Sequence, residues 1–204
     1  MGYLTKLALS AAVTVAAGSA QAATVTFDFD AANRGAAYSL AYASGDLSLN
    51  VTATRGSAAA KVQTWSGHGM GVPGPNPDPH LVDSSGTGED ETVWFRFSEL
   101  VNLVKVTFSY VDEKDDFKLW QGATSLGVFD VKQTVFTAAA GWADSFGVGA
   151  VDWRSRHGSG YSAFKITSVT VETQDAPAPV PLPAAGLMLA ASLAGLGLAK
   201  RRKA

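Results

Sequence analysis

Apolar and polar residues alternate along much of the chain. Val25, Phe27 and Phe29 alternate with Thr26, Asp28 and Asp30, and Leu47, Leu49, Val51 and Ala53 with Ser48, Asn50, Thr52 and Thr54. Val93, Phe95 and Phe97 form a third set, and Val104, Val106, Phe108 and Tyr110 a fourth. A period of two places one face of a strand on a core and the other in water. Shorter strands are predicted at Phe117–Gln121, Leu126–Phe129 and Gln133–Thr137, and a last one at Ala163–Glu172. In that last strand the apolar parity switches between Phe164/Ile166 and Val169/Val171, which predicts a β-bulge near Thr167-Ser168. No segment between the two ends keeps a 3.6-residue apolar period over three turns, so almost no helix is expected there. Eight or nine short strands separated by Gly, Asp, Ser and Asn predict an all-β fold, an antiparallel β-sandwich of jelly-roll-like type.

The pattern changes at both ends. Lys6 precedes an apolar run from Leu7 to Ala17, and Ala20 and Ala22 stand where a signal peptidase requires small residues. Residues 1–22 therefore read as a signal peptide, with cleavage between Ala22 and Ala23. At the other end, a Pro-rich linker and motif (174–183) leads from the β domain (23–173) into sixteen uncharged residues, Ala184 to Ala199. As a helix these would reach about 24 Å, a little short of the ~30 Å hydrocarbon core. Lys200, Arg201, Arg202 and Lys203 follow as a stop signal, and the positive-inside rule keeps them cytoplasmic. Residues 184–204 thus read as a transmembrane helix with its basic stop, and both ends imply the same topology, with the β domain outside.

The order of Val180-Pro181-Leu182-Pro183-Ala184, a short apolar helix and a basic cluster resembles the VPLPA-CTERM subclass of PEP-CTERM sorting signals. The resemblance implies a precursor held transiently in the inner membrane of a Gram-negative bacterium. It further implies an exosortase that recognises residues 180–184 and removes the tail, leaving the protein at the cell surface or outside the cell. Exopolysaccharide is the polymer that the family's context implies as a partner.

Charge narrows the function classes. All 18 acidic residues lie between the two ends, whereas five of the 16 basic ones lie within them, so the central part carries −7 rather than the −2 of the whole chain. An acidic domain gains no counterion release from nucleic acid, which is excluded as a partner. The absence of cysteine excludes disulfides, thiolate metal sites and cysteine nucleophiles.

One stretch breaks the strand rhythm. From Gly67 to Gly88, ten of 22 residues are Gly or Pro, which predicts a long loop without regular structure. The run of Trp65, the alternating glycines to Val72, Val82-Asp83, the acidic residues to Glu91 and a Phe-rich strand resembles the globular parts of other exosortase-sorted surface proteins. That resemblance implies location and fold, and assigns no chemistry.

Three kinds of chemistry come into question. Calcium is the one candidate ion. Asp83 and Glu91 are its first candidate ligands, beside Glu89 and Asp90, because Ca²⁺ takes six to eight hard oxygens. The second acidic group, Asp112 to Asp116, reads rather as a solvated turn between strands. Carbohydrate is the second candidate ligand, taken up by aromatic stacking at Trp65, beside the Gly/Pro loop, and at Trp153, beside Arg154 and Arg156. Trp94 alternates with Val93, Phe95 and Phe97 and faces away from their core. Catalysis has little support. His68, His80 and His157 form no metal-ligand spacing, and no nucleophile elbow or nucleotide loop is present, although a carboxylate pair brought together only in space would leave no motif. The expectation is a non-enzymatic, exosortase-processed surface or extracellular-matrix protein associated with exopolysaccharide. A calcium-dependent carbohydrate-binding module and a secreted hydrolase are the alternatives.

Overall fold

The computed structural model describes residues 22–74, 80–84, 89–131, 135–137, 140–151 and 161–174, all within one compact unit, Ala22–Gln174. Among the described residues the fold is all-β, with fourteen strands and no helix. The N-terminal half carries β1 (Thr24–Asp28), β2 (Arg34–Ala37), β3 (Leu40–Ser44), β4 (Leu47–Arg55), β5 (Ala58–Ala60), β6 (Val62–Trp65), β7 (Gly69–Gly71) and β8 (Val82–Asp83). The rest carries β9 (Glu91–Ser109), β10 (Asp116–Gln121), β11 (Thr124–Asp130), β12 (Val135–Thr137), β13 (Trp142–Ala150) and β14 (Ala163–Thr173).

The longest hydrogen-bonded path runs β11-β10-β13-β9-β14-β7-β6-β2, with antiparallel pairing throughout. Its organising element is β9, where one continuous strand of 19 residues replaces the two sets expected from the alternation. No Gly or Pro interrupts Ser98–Asn102, so nothing in the chain forces a break. The first half of β9 pairs with β4, Glu91–Phe97 against Arg55–Leu49, and the second half pairs with β14, Val101–Ser109 against Thr173–Lys165.

The parity of β9 slips once along its length. Val93, Phe95, Phe97, Val101 and Leu103 are buried in one phase, and Val106 and Phe108 in the next. The slip falls between the Val171–Leu103 and Thr170–Lys105 pairs, so Val104 is the bulged residue and is only half-buried. Tyr110, expected in the core set, is exposed. The bulge predicted in the last strand occurs where Ile166 pairs Phe108 and Ser168 pairs Thr107, leaving Thr167 unmatched.

The core is apolar and rich in rings. Phe27 packs on Phe97 and Phe29 on Phe95, at centroid distances of 5.9 and 5.7 Å. Thus β1, whose backbone pairs with β14, touches the first half of β9 through its side chains. Phe117 meets Phe108, Phe129 and Phe136 within 5.6 Å, and Phe164 closes on Phe108 at 5.2 Å. Each such pair contributes about 0.5–1.5 kcal/mol beyond its buried area.

Two of the fourteen strands lie inside the expected Gly/Pro loop. Buried Val72 and Val82 anchor that segment, and Val72 N–H donates to Leu81 C=O at 3.1 Å. Close backbone approach explains its glycines. A methyl group on Gly71 would lie 2.0 Å from the His80 carbonyl oxygen, and one on Gly69 would lie 2.6 Å from that of Ile166. At the start of the domain, Ala23 C=O accepts from Thr173 N–H at 2.9 Å, which draws the two ends together. Among the described residues no helix is long and apolar enough to cross a membrane. The expected signal peptide and sorting helix lie outside the described residues.

Candidate functional site

Of the residues singled out from the sequence, Trp65, Asp83, Glu91, Ala22 and Ala23 are described. Ala20, Trp153, the motif Val180–Ala184 and the basic residues Lys200–Lys203 lie outside the described residues.

Glu91 is the first residue of β9, with the inward parity of Val93 and Phe95, and is fully buried. Its Oε1 accepts from Arg55 Nε at 2.8 Å and from Arg55 Nη2, and its Oε2 accepts from the Asp83 N–H at 3.2 Å. Burial, reinforced by the charge of Asp83, pushes its carboxyl up to about 8, against the opposing pull of Arg55 and the Asp83 N–H. The second acidic group converges on the same place. Asp83 pairs with Ala163, whose N–H donates to Asp115 Oδ1 at 2.8 Å, while Asp115 Oδ2 accepts from Asp112 N–H at 2.6 Å. Burial raises the Asp115 carboxyl as well, against the backbone N–H groups of Ala163 and Asp112.

Of the two side chains expected for calcium, Glu91 thus has its oxygens held by a guanidinium and a backbone N–H. Among the described residues no three His, Asp or Glu side chains are grouped to hold a metal ion.

Trp65 closes β6 half-buried, with its ring engaged inside the protein. The His80 imidazole stacks on it at 5.3 Å and 18°, and the Lys165 ammonium lies 4.0 Å from its centroid. Lys165 is 6% exposed, also lies 5.1 Å from the Tyr110 ring, and has its ammonium pKa lowered by burial. Tyr110 OH hydrogen-bonds His68 Nδ1 at 2.7 Å, and Ser109 Oγ donates to the His68 carbonyl at 2.6 Å. Tyr110 and His80 both have left-handed backbone, with φ of 58° and 61°. Both histidines of the Gly/Pro segment are thus tied into one cluster around Lys165, where Trp65 acts as a clamp.

A different surface is open. On the outward side of the β4–β9–β13–β10 region the register lines up Thr52, Trp94, Gly147 and Trp120 across four strands. The row two residues along holds Asn50, Arg96 and Ser145. Phe146, Val148 and Ala150 give β13 its core face, so its outward positions are Ser145, Gly147 and Gly149. Those glycines make room for the indoles. A methyl group on Gly147 would lie 2.6 Å from Trp94 Cζ3, and one on Gly149 would lie 2.9 Å from Trp120 Cζ3. Both rings rest against bare backbone, and Trp94 Nε1 donates to Thr54 Oγ1 at 3.2 Å. Their centroids are 5.7 Å apart and their planes 44° apart.

Beside Trp94 lies a depression of about 340 Å³ lined by Asn50, Thr52, Trp94, Arg96 and Ser145. That volume is at the small end of the ~300–1,000 Å³ range of ligand sites. Asn50 Nδ2 donates to Ser39 Oγ at 2.8 Å, which fixes the amide at one side. A ring face beside amide, hydroxyl and guanidinium groups can stack a sugar ring and hydrogen-bond its substituents.

Set against models of protein families, characterised proteins and solved structures, the chain matches none.

Parity alone marked Trp94 as outward-facing. The pairing with Trp120 and the glycine seats required the register of three strands that are not consecutive in the chain, and no local signal carries that.

Proposed function

We propose that this chain is an exported, exosortase-sorted surface or extracellular-matrix protein that holds exopolysaccharide without turning it over. The observation that carries the binding part is the pair of indoles seated on Gly147 and Gly149 beside the 340 Å³ depression. Among the described residues no carboxylate or histidine lines that depression, and hydrolysis of a glycosidic bond needs a carboxylate pair, so the reading is binding rather than turnover. The sorting part rests on the VPLPA motif, the apolar stretch and the basic end of the sequence. A jelly-roll-like sandwich belongs to the same reading. It is supported by β9 pairing with β4 in one half and β14 in the other, and by Phe27 of β1 and the following Phe29 packed on the first half of β9.

Co-sedimentation of the protein with exopolysaccharide of its host tests the binding. Trp94→Ala is expected to weaken retention at least about ten-fold, equivalent to ~1.4 kcal/mol, with the thermal transition still cooperative. Undiminished retention would remove the platform from the mechanism. Sorting is tested separately by replacing Pro181 and Pro183 with alanine in an exosortase-bearing host. Accumulation of uncut precursor in the inner membrane is expected, and normal processing would refute it.

A further inference from the structure

Resting on the carbohydrate reading, we infer that the Trp94 face selects a soluble, carboxylate-bearing polysaccharide, with Arg96 as the group that reads the carboxylate. The angle between the rings excludes one class of polymer. A crystalline polysaccharide offers a flat face and needs coplanar rings to stack on, whereas the planes of Trp94 and Trp120 are 44° apart. Only one of them can lie flat on such a face. A single chain in solution can turn from one ring to the next.

The charge distribution makes the selection more specific. Arg96 lines the depression among neutral groups, Asn50, Thr52 and Ser145, and its side chain makes no ion pair or hydrogen bond among the described residues. A guanidinium held in the open beside a stacking ring is a bidentate receptor for a carboxylate. The spacing is suitable. Arg96 lies two residues from Trp94 on the same face of β9, about 7 Å along the strand. The centre of a stacked pyranose to its exocyclic carboxylate oxygen, plus one hydrogen bond of ~2.9 Å, spans a similar distance, roughly 6–7 Å. Lys118, whose Nζ is 4.8 Å from the Trp120 centroid, sets a second cation at the far ring. The central part of the chain is strongly acidic overall, so a local preference for an anion has to be built at a site such as this one.

The test is affinity electrophoresis of the purified full chain in gels cast with four polymers, polygalacturonate, dextran sulfate, neutral dextran and amorphous cellulose, together with pull-down on microcrystalline cellulose. Retardation by polygalacturonate at least ten-fold stronger than by either neutral gel is expected, with no capture on the crystalline polymer. Arg96→Gln should abolish that preference, and Arg96→Lys should restore only part of it, because an ammonium lacks the planar fork. Equal binding to polygalacturonate and the neutral gels, still lost in Trp94→Ala, would overturn this inference and leave the carbohydrate reading intact. Dextran sulfate binding as tightly as polygalacturonate would overturn the carboxylate assignment, and capture on microcrystalline cellulose would overturn the solubility argument. Polygalacturonate binding that survives Trp94→Ala and vanishes in 0.5 M salt, or no binding to any polymer, would overturn both readings.

Discussion

Replacing Gly147 with alanine would place a methyl group 2.6 Å from Trp94 Cζ3, 2.7 Å from Cε3 and 3.0 Å from Cη2, well inside contact distance. The backbone of β13 is fixed by ladders to β9 and β10, so the indole has to move. Lifting the ring breaks the Trp94–Thr54 hydrogen bond, a loss of about 1 kcal/mol, and adds overpacking of about 1–3 kcal/mol at the low end, since the ring can tilt toward solvent. Alanine recovers about 0.5–1 kcal/mol, because glycine in a strand loses more chain entropy on folding. The net expectation is a loss of about 1–2 kcal/mol, or roughly 2–8 °C in Tm for a domain of this size. Calorimetry and near-ultraviolet circular dichroism would read the stability and the displaced indole, and co-sedimentation would read the lost platform. Gly35→Ala is the control, since nothing lies within 4 Å of its methyl position, and its Tm is expected to stay within a degree or two. A Gly147→Ala protein with wild-type Tm, spectrum and retention would refute the argument that the ring rests on that glycine.

Arg55→Ala leaves Glu91 buried without its guanidinium, which is expected to cost about 2–3 kcal/mol at pH 8 and much less below pH 5, as denaturant titrations at both pH values would read. In the wild type, the folded protein keeps the Glu91 proton up to about pH 8, whereas its ordinary value is 4.5. The contribution of Glu91 to stability is therefore full below 4.5 and is lost as the pH rises through this window, with Asp115 shifted in the same direction. Glu91→Gln should flatten that decline, and an unchanged pH profile would refute the assignment. Trp65→Ala removes the ring between His80 and Lys165 and is expected to lower stability by about 2–3 kcal/mol in chemical denaturation while leaving polysaccharide retention intact, the reverse of Trp94→Ala. Gly71→Ala sets a methyl group against the His80 carbonyl, where both partners are backbone, and should cost about 3 kcal/mol or more, read as lost soluble yield or a lowered Tm.

Where one face of a strand is buried and the other is wet, the alternation was legible, as in β1, β4, β10 and β14, and even the parity switch of β14 located its bulge. It failed where the outward positions carry no side chain to alternate. No strand was expected at β13, where Gly147 and Gly149 are the space beneath two tryptophans. It failed again at β7, whose glycines serve close backbone contact rather than turning, and at the two-residue β8 that follows in the same segment. The acidic run shows the same dependence on strand geometry. Glu89, Asp90 and Glu91 are neighbours in the chain, but β9 begins at Glu91, whose strand parity turns its carboxylate to Arg55.

The ladder between β14 and β9 also has a mechanical consequence. Load entering the domain beyond Gln174 reaches β14 first, and β14 is flanked by β9 along Lys165–Thr173 and by β1 along its last residues. A pull along the strand axis stretches those inter-strand hydrogen bonds together, in shear, whereas peeling would break them one at a time. A ligand held on Trp94 would pull back through the same strand β9. Because Thr173 pairs with Val101, tether and cargo would both load the end of the ladder nearest Trp94.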